Sequence, residues 1–121
     1  MSPLRSYRRM SDRSDKQRAA DESEYVKGEI ARVWERSGRR CEVELDGVKC
    51  SKAASGGQHH VKKRSQGGDD SRDNRLAICW EHHDRADWPF TRGRLWIEAL
   101  GNETFRCAIV FEHPKRRLSD A

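Results

Sequence analysis

Hydrophobic residues change their spacing along the chain, and the first regular spacing is helical. Val26, Ile30 and Val33 recur every three or four residues, so they fall on one face of a helix. Acidic residues crowd the start of this segment and Gly38 follows its end, as is typical of helix termini. The pattern predicts a helix over residues 22–37.

The next segment, "CEVELDGVKC", alternates apolar and acidic residues and then turns at an Asp-Gly pair, which predicts a β-hairpin. A two-residue turn sets Leu45 opposite Val48. It also sets Val43 opposite Cys50, and Cys41 then falls on the same face as Cys50. Because a slip of one residue would separate the two cysteines, their proximity depends on this register.

Shorter elements follow the first hairpin. The pattern predicts strands over residues 59–62 and 75–79, with a polar loop over residues 64–74 between them. Residues 80–87 have helical character, and Pro89 marks the end of that helix.

The last regular unit is a predicted hairpin over residues 92–112. Apolar and polar residues alternate on both sides of a Gly-Asn-Glu turn. Cys107 falls on the apolar face, which favours a place in the core, and no chemical motif stands out in this hairpin.

Composition indicates a small domain with a thin core. The chain has 121 residues, of which 34% are hydrophobic and 37% are charged, and such domains often need a metal or a disulfide for stability. No apolar run approaches membrane length, and the N-terminus lacks the apolar region of a secretory signal. We therefore expect a cytoplasmic protein with reduced cysteines, which serve as metal ligands or core residues.

The basic excess is concentrated at the N-terminus. The net charge is +5, and residues 1–20 carry six basic and two acidic residues. We predict a disordered basic tail over residues 1–20, a folded domain over residues 21–113 and a short basic tail over residues 114–121. The N-terminal tail would attract nucleic acid in a salt-dependent way, and the alternative is a solvated leader.

Cysteine and histidine residues are spaced as metal ligands. Cys79 and His82 are three residues apart, so they share a helix face and form half of a zinc site. Cys41 and Cys50 would complete a Cys₃His set. The alternative is that these cysteines fill the core, and eight residues between Cys41 and Cys50 favour it, since zinc knuckles usually have about two to four.

The remaining histidines of the two doublets suggest a second, open metal site. His83 and Asp87 are four residues apart and share a different helix face. His59 and His60 are neighbours on a strand, so they point to opposite faces and suit different roles. One would bind an ion that contacts a phosphate oxygen, and the other would take a proton from water. The alternative is a pair of exposed loop histidines.

The order "C…C…HH…GG…DN-x-L-x-x-C-x-x-H-H" resembles the HNH endonucleases over residues 36–87. The resemblance implies an α+β fold with a ββα-metal (His-Me finger) core, here flanked by an N-terminal helix and a C-terminal β-hairpin. Small free-standing members of this kind are often of phage type.

The resemblance also implies roles for individual residues. His59 matches the first ligand of the catalytic ion and His83 the last, while His60 matches the general base. Asn74 matches the asparagine that orients the catalytic loop, and Asp87 falls where some members have a further histidine ligand. The positions of the structural zinc ligands are matched by Cys41, Cys50, Cys79 and His82.

Two departures from the family pattern bear on these roles. His82 replaces the last cysteine of the zinc set, and the first cysteine pair is wide. Lys62 and Lys63 stand where relatives often have a proline, and they are candidates for contact with the phosphate backbone. Arg64 is the nearest candidate to steady the scissile phosphate, and a solvated charge run is the alternative for all three residues.

The resemblance implies a phosphodiester hydrolase that acts on DNA with Mg²⁺, Mn²⁺ or Ni²⁺ as the catalytic ion and Zn²⁺ as a structural ion. DNA is the expected partner, together with phage packaging or recombination proteins, and no membrane is expected. The alternative is a non-catalytic, zinc-bound DNA- or RNA-binding module, which would have no use for His60 beside a second metal pair.

Overall fold

The computed structural model describes residue 21 and residues 23–118, so the predicted tail over residues 1–20 lies outside the described residues. The first helix, α1, includes residues 23–37 and confirms the helix predicted from the apolar spacing. It ends where Gly38 adopts a φ of 63° and its N–H donates to the carbonyl oxygen of Trp34 at 2.9 Å. A glycine reaches this left-handed conformation without the steric penalty that a Cβ would bring. No described helix has the length and apolar character needed to cross a bilayer.

Mixed α and β structure follows α1, with the strands in small antiparallel pairs. A second helix, α2, covers Trp80–Arg85. Within the described residues the strands form three two-stranded antiparallel sheets. The pairs are β1 (Glu44–Leu45) with β2 (Val48–Lys49), β3 (Gln58–His60) with β4 (Arg75–Ala77), and β5 (Arg94–Gly101) with β6 (Thr104–Val110).

The β1–β2 hairpin has the predicted register. Leu45 pairs with Val48, and the N–H of Cys50 donates to the carbonyl oxygen of Val43 at 2.8 Å. Asp46 has a positive φ of 52°, and the glycine after it has one of 80°. Two successive positive φ angles are what a two-residue hairpin turn of this hand requires, and Asp-Gly supplies them at low cost.

The middle elements are shorter than the sequence predicts. β3 ends at His60 because the chain then turns away from β4, and the N–H of Lys62 bonds to the side chain of Asn74 at 2.9 Å. Beyond β4, Ile78 exchanges backbone hydrogen bonds with Gly56 and Gly57 in a loop rather than with a strand. α2 ends before Pro89, as predicted, although two residues earlier than the pattern suggested.

Few apolar side chains form the core. Its buried members are Val43, Leu76, Ile78, Leu95, Cys41 and Cys79. Cys107 on β6 is partly buried and packs against this cluster, which agrees with the core position predicted for it. The small core is consistent with the low apolar content of the chain. Other interactions must therefore contribute to the stability of the fold.

Charged side chains attach α1 to the rest of the domain. Arg36 donates to the Glu42 carboxylate at 2.7 and 2.8 Å, and to the carbonyl oxygens of Arg72 and Arg75 at 3.0 and 2.8 Å. Glu29, which is buried, accepts hydrogen bonds from the guanidinium of Arg72, the shortest at 2.6 Å. α1 is thus fixed against the segment that leads into β4.

Candidate metal centre and histidine site

Three cysteines and one histidine converge beside the first hairpin. The potential ligand atoms of Cys41, Cys50, Cys79 and His82 all lie within 4.8 Å of one another. His82 Nδ1 is 3.5 Å from Cys41 Sγ and 3.4 Å from Cys79 Sγ. A tetrahedral zinc ion with ordinary bond lengths would separate a sulfur and a nitrogen ligand by about 3.6 Å. The two Nδ1–Sγ distances are therefore close to the distance between ligand atoms in a tetrahedral zinc site.

Local structure explains how ligands that are distant in sequence meet. The N–H of Cys41 donates to the carbonyl oxygen of Lys52 at 2.7 Å, so the chain entering the hairpin lies beside the chain leaving it. The tight turn brings Cys50 back toward Cys41 despite the eight residues between them. Cys79 immediately precedes α2, and His82 lies on the first turn of that helix.

Burial favours the neutral forms of two of the ligands, Cys41 and His82. It raises the pKa of the Cys41 thiol to about 12 and lowers the pKa of the His82 imidazole. A neutral imidazole can coordinate a metal ion directly. A thiol must first lose its proton, which the metal ion displaces when it binds. The partly buried Cys₃His set can therefore hold a metal ion such as zinc, whose preferred ligands are of these types.

The second histidine pair comes from β3 and α2. The rings of His59 and His83 are 5.4 Å apart between centroids and meet edge to face. Burial, followed by the charge of His83, lowers the pKa of His59 to about 4, so this imidazole is neutral near pH 7. The structure thus brings together the two histidines that the sequence assigned to a catalytic ion.

Asp87 lies near His59 and His83, but these three residues do not form a cluster as compact as the Cys₃His set. It lines the same cavity as His59. Among the residues that the structure describes, the Cys₃His set is the group of three or more metal-ligating side chains gathered within 4.8 Å. His59, His83 and Asp87 are not gathered in this way.

His60 points away from His59 and contacts a carboxylate that sequence reasoning missed. Its Nε2 lies 2.9 Å from Asp70 Oδ1. Asp70 also accepts hydrogen bonds from Arg64 and Arg75, and the bonds from Arg64 and His60 lower the pKa of Asp70 to about 2. Nε2 of His60 also lies 3.2 Å from Nη1 of Arg75, so it faces both a carboxylate acceptor and a guanidinium donor. The shorter contact with the ionised carboxylate favours the tautomer with the proton on Nε2, which leaves Nδ1 as the basic nitrogen.

Asp70 could have been noticed in the sequence as an acidic residue in the loop that joins β3 to β4. Nothing local distinguishes it from Asp69, whose side chain instead accepts from the backbone N–H of Ser71 at 3.1 Å. Only the folded loop shows which of the two aspartates meets His60.

Asn74 closes the base of the loop between β3 and β4. Its buried amide donates to the carbonyl oxygens of Lys62 and Asp69 at 3.0 and 2.8 Å, and accepts from the N–H of Lys62 at 2.9 Å. Gly68 lies in the same loop, and a Cβ there would be 1.8 Å from the carbonyl oxygen of Lys62. These contacts fix the conformation of the segment that follows the first histidine doublet.

The three predicted phosphate-binding cations lie in different settings. Lys62 and Lys63 are exposed and line the cavity beside His59. Arg64 is also exposed, but its guanidinium pairs with Asp70. The structure therefore separates Arg64 from the two lysines and connects it with the His60 side of the site.

Comparison with protein-family models, with curated proteins and with solved structures finds no match for this chain. What this protein does must therefore be inferred from the residues of the site and from their geometry.

Proposed function

We propose that this chain is a metal-dependent DNA endonuclease of the HNH type. The observation that carries the proposal is the arrangement of the first doublet, in which His59 meets His83 while His60 meets a carboxylate. In this proposal β3, β4 and α2 are the two strands and the helix of a ββα-metal core. A module that only binds DNA or RNA would require neither the pair of His59 and His83 nor an adjacent histidine that contacts a carboxylate.

The proposed mechanism divides the work between adjacent side chains. His59 and His83 would hold a divalent cation such as Mg²⁺, Mn²⁺ or Ni²⁺, with Asp87 at the edge of the same cavity. When bound, that ion would stabilise negative charge on the phosphate and on the leaving oxygen. Lys62 and Lys63 would contact the phosphate backbone of the DNA.

His60 is the proposed general base. Its Nδ1 takes a proton from water as the water oxygen forms a bond to phosphorus, and the bond from phosphorus to the 3′ oxygen breaks. The departing oxygen acquires a proton from solvent, which leaves a 3′-hydroxyl and a 5′-phosphate. Asp70 keeps the proton of the resting imidazole on Nε2 and stabilises the imidazolium that forms, while Asn74 holds the loop that carries Asp70.

The Cys₃His set has a structural role in this proposal. An ion there would tie the β1–β2 hairpin to the start of α2, and α2 carries His83. The structural ion would therefore act on cleavage only through the position of this helix.

Plasmid cleavage tests the proposal directly. Wild-type protein and His60→Ala are incubated with supercoiled plasmid and Mg²⁺, Mn²⁺ or Ni²⁺, and the products are resolved on a gel. We expect the substitution to reduce the cleavage rate by roughly 10²- to 10⁴-fold, the usual contribution of a general base.

Equal cleavage by the variant and the wild type would rule out His60 as the base. Binding of DNA without cleavage by the wild type under every ion would favour the non-catalytic module. Thermal unfolding and zinc content of the His60→Ala protein serve as controls, and both should match those of the wild type.

A further inference from the structure

The cavity beside His59 brings together residues from two distant parts of the chain. Its volume is about 400 Å³, which lies within the range of about 300–1,000 Å³ common for ligand sites. One wall follows β3, and the opposite wall belongs to the β5–β6 hairpin and the segment after it. The side chains that matter for binding are Lys62, Lys63, Asp87, Arg94, Trp96 and His113.

Aromatic contacts hold the hairpin wall in place. The rings of Trp96 and His113 lie 5.1 Å apart between centroids, and Phe90 is 6.1 Å from Trp96. The guanidinium of Arg94 lies 4.3 Å from the centre of the Phe90 ring. A ring fixed in this way loses little conformational entropy when a ligand stacks on it.

The charge of the cavity complements a phosphate backbone. Lys62, Lys63 and Arg94 contribute three positive charges, against one negative charge from Asp87. Cations that follow a backbone, combined with an aromatic ring that accepts a base, are the features of sites for single-stranded nucleic acid. In a duplex the faces of the bases are stacked on each other, so a ring can reach one only if the nucleotide is unpaired.

We infer that this cavity binds an unpaired nucleotide of single-stranded DNA, with the base against Trp96 and the backbone against the three cations. Its position beside the cleavage site rests on the proposed function, because His59 lines the same cavity. The preference would then be for DNA whose strand is unpaired next to the scissile phosphate. The binding itself does not require cleavage and can be measured separately.

The test is fluorescence anisotropy with a labelled 12-nucleotide single strand and with a duplex of the same sequence, without added divalent ion. We expect the wild type to bind the single strand more tightly than the duplex. Trp96→Leu should weaken single-strand binding roughly tenfold, in line with the loss of one base–aromatic contact, whereas Trp96→Phe should retain most of the affinity. Trp80→Leu is the matched control, because Trp80 is exposed and lies outside the cavity.

A second variant tests the inference if the Trp96 variants unfold. Lys62→Gln combined with Lys63→Gln changes two exposed side chains, and should reduce the slope of log affinity against log salt by roughly 1.4 for a single strand. An unchanged slope would overturn the inference. So would tighter binding of the duplex, tighter binding of the same sequence as RNA, or full affinity in a folded Trp96→Leu protein.

The two proposals fail in different ways. Binding to single strands that depends on Trp96, with no cleavage of any DNA, would refute the nuclease and leave the nucleotide site intact. Cleavage that depends on His60, with Trp96→Leu and wild-type proteins cutting single-stranded DNA at the same rate and duplex DNA at the same rate, would refute the nucleotide site alone.

Discussion

The contact between His60 and Asp70 favours Nδ1 as the imidazole nitrogen that acts as a base in the proposed reaction. Asp70 accepts from His60 at 2.9 Å and is also held by Arg64 and Arg75, so its position is fixed from several sides. A carboxylate in this position stabilises one tautomer and also favours the imidazolium formed when water is deprotonated. Asp70 is therefore a positioning residue in the proposed reaction, since it acts through His60.

Asp70→Asn should lower kcat for DNA cleavage by roughly tenfold or more while KM changes little, because the interaction lost matters chiefly in the transition state. The measurement is steady-state cleavage of an oligonucleotide, together with ¹⁵N shifts of His60, which report its tautomer. Asp69→Asn is the matched control, since Asp69 contacts Ser71 and should leave both readouts as they are. A normal kcat with an altered His60 tautomer would contradict the role given to Asp70.

The loop between β3 and β4 depends on close backbone approach as well as on side chains. Gly68 lies so near the carbonyl oxygen of Lys62 that a Cβ would overlap it at 1.8 Å. Since that neighbour is backbone, which Asn74 also holds, the clash can be relieved only by movement of the loop.

Gly68→Ala should therefore lower the free energy of unfolding by about 1–3 kcal/mol, as measured by urea denaturation. Gly28→Ala provides the opposite case, because Gly28 is in α1 and a Cβ there meets nothing within 4 Å. That substitution should stabilise the protein by roughly 0.5–1 kcal/mol through helix propensity. Equal effects of the two substitutions would show that the close approach at Gly68 has no energetic weight.

Among the helices and strands, those that depend on neighbouring residues can be predicted from the sequence. The spacing of apolar residues in α1 and the Asp-Gly turn between β1 and β2 depend on near neighbours, so both elements and the hairpin register are predictable. β3 is shorter than predicted because Asn74, fourteen residues after His60, redirects the chain. The attachment of α1 through Arg36 and Glu42 was not predictable, since a charged pair has no periodic signature.

The candidate site was predictable to the extent that residue types restrict its chemistry. Cys79 and His82 are residue types that bind metals, and their spacing of three residues is enough to predict a metal site from the sequence. Asp70 and Trp96 could not be found in this way, because aspartates and tryptophans are common in loops and strands. Their proximity to the histidines depends on how the loop and the last hairpin pack.

For the whole molecule, a thin apolar core beside a Cys₃His set leads us to expect that stability depends on a bound ion. If zinc binds, elemental analysis should find about one equivalent per chain, and Cys50→Ser should lower both the zinc content and the melting temperature. Cys107→Ala is the control, because Cys107 packs against the core and lies outside the cluster. It should lower stability modestly while leaving the zinc content at one equivalent.

Zinc content below half an equivalent in the wild type would count against the site. So would equal zinc content in the Cys50→Ser and Cys107→Ala proteins, because only the first substitution removes a predicted ligand.

α2 has six residues, and two consecutive histidines on it face different sites. His82 approaches the cysteines, while His83 approaches His59. The two histidines are thus directed to different sites because successive side chains on an α-helix point about 100° apart. Insertion of one residue between Cys79 and His82 would turn His82 to the direction that His83 now takes and leave the cysteines without an imidazole. Deletion of one residue there would turn His83 toward the cysteines and leave His59 without its partner. The length of the chain between Cys79 and α2 therefore sets which of the two sites receives an imidazole.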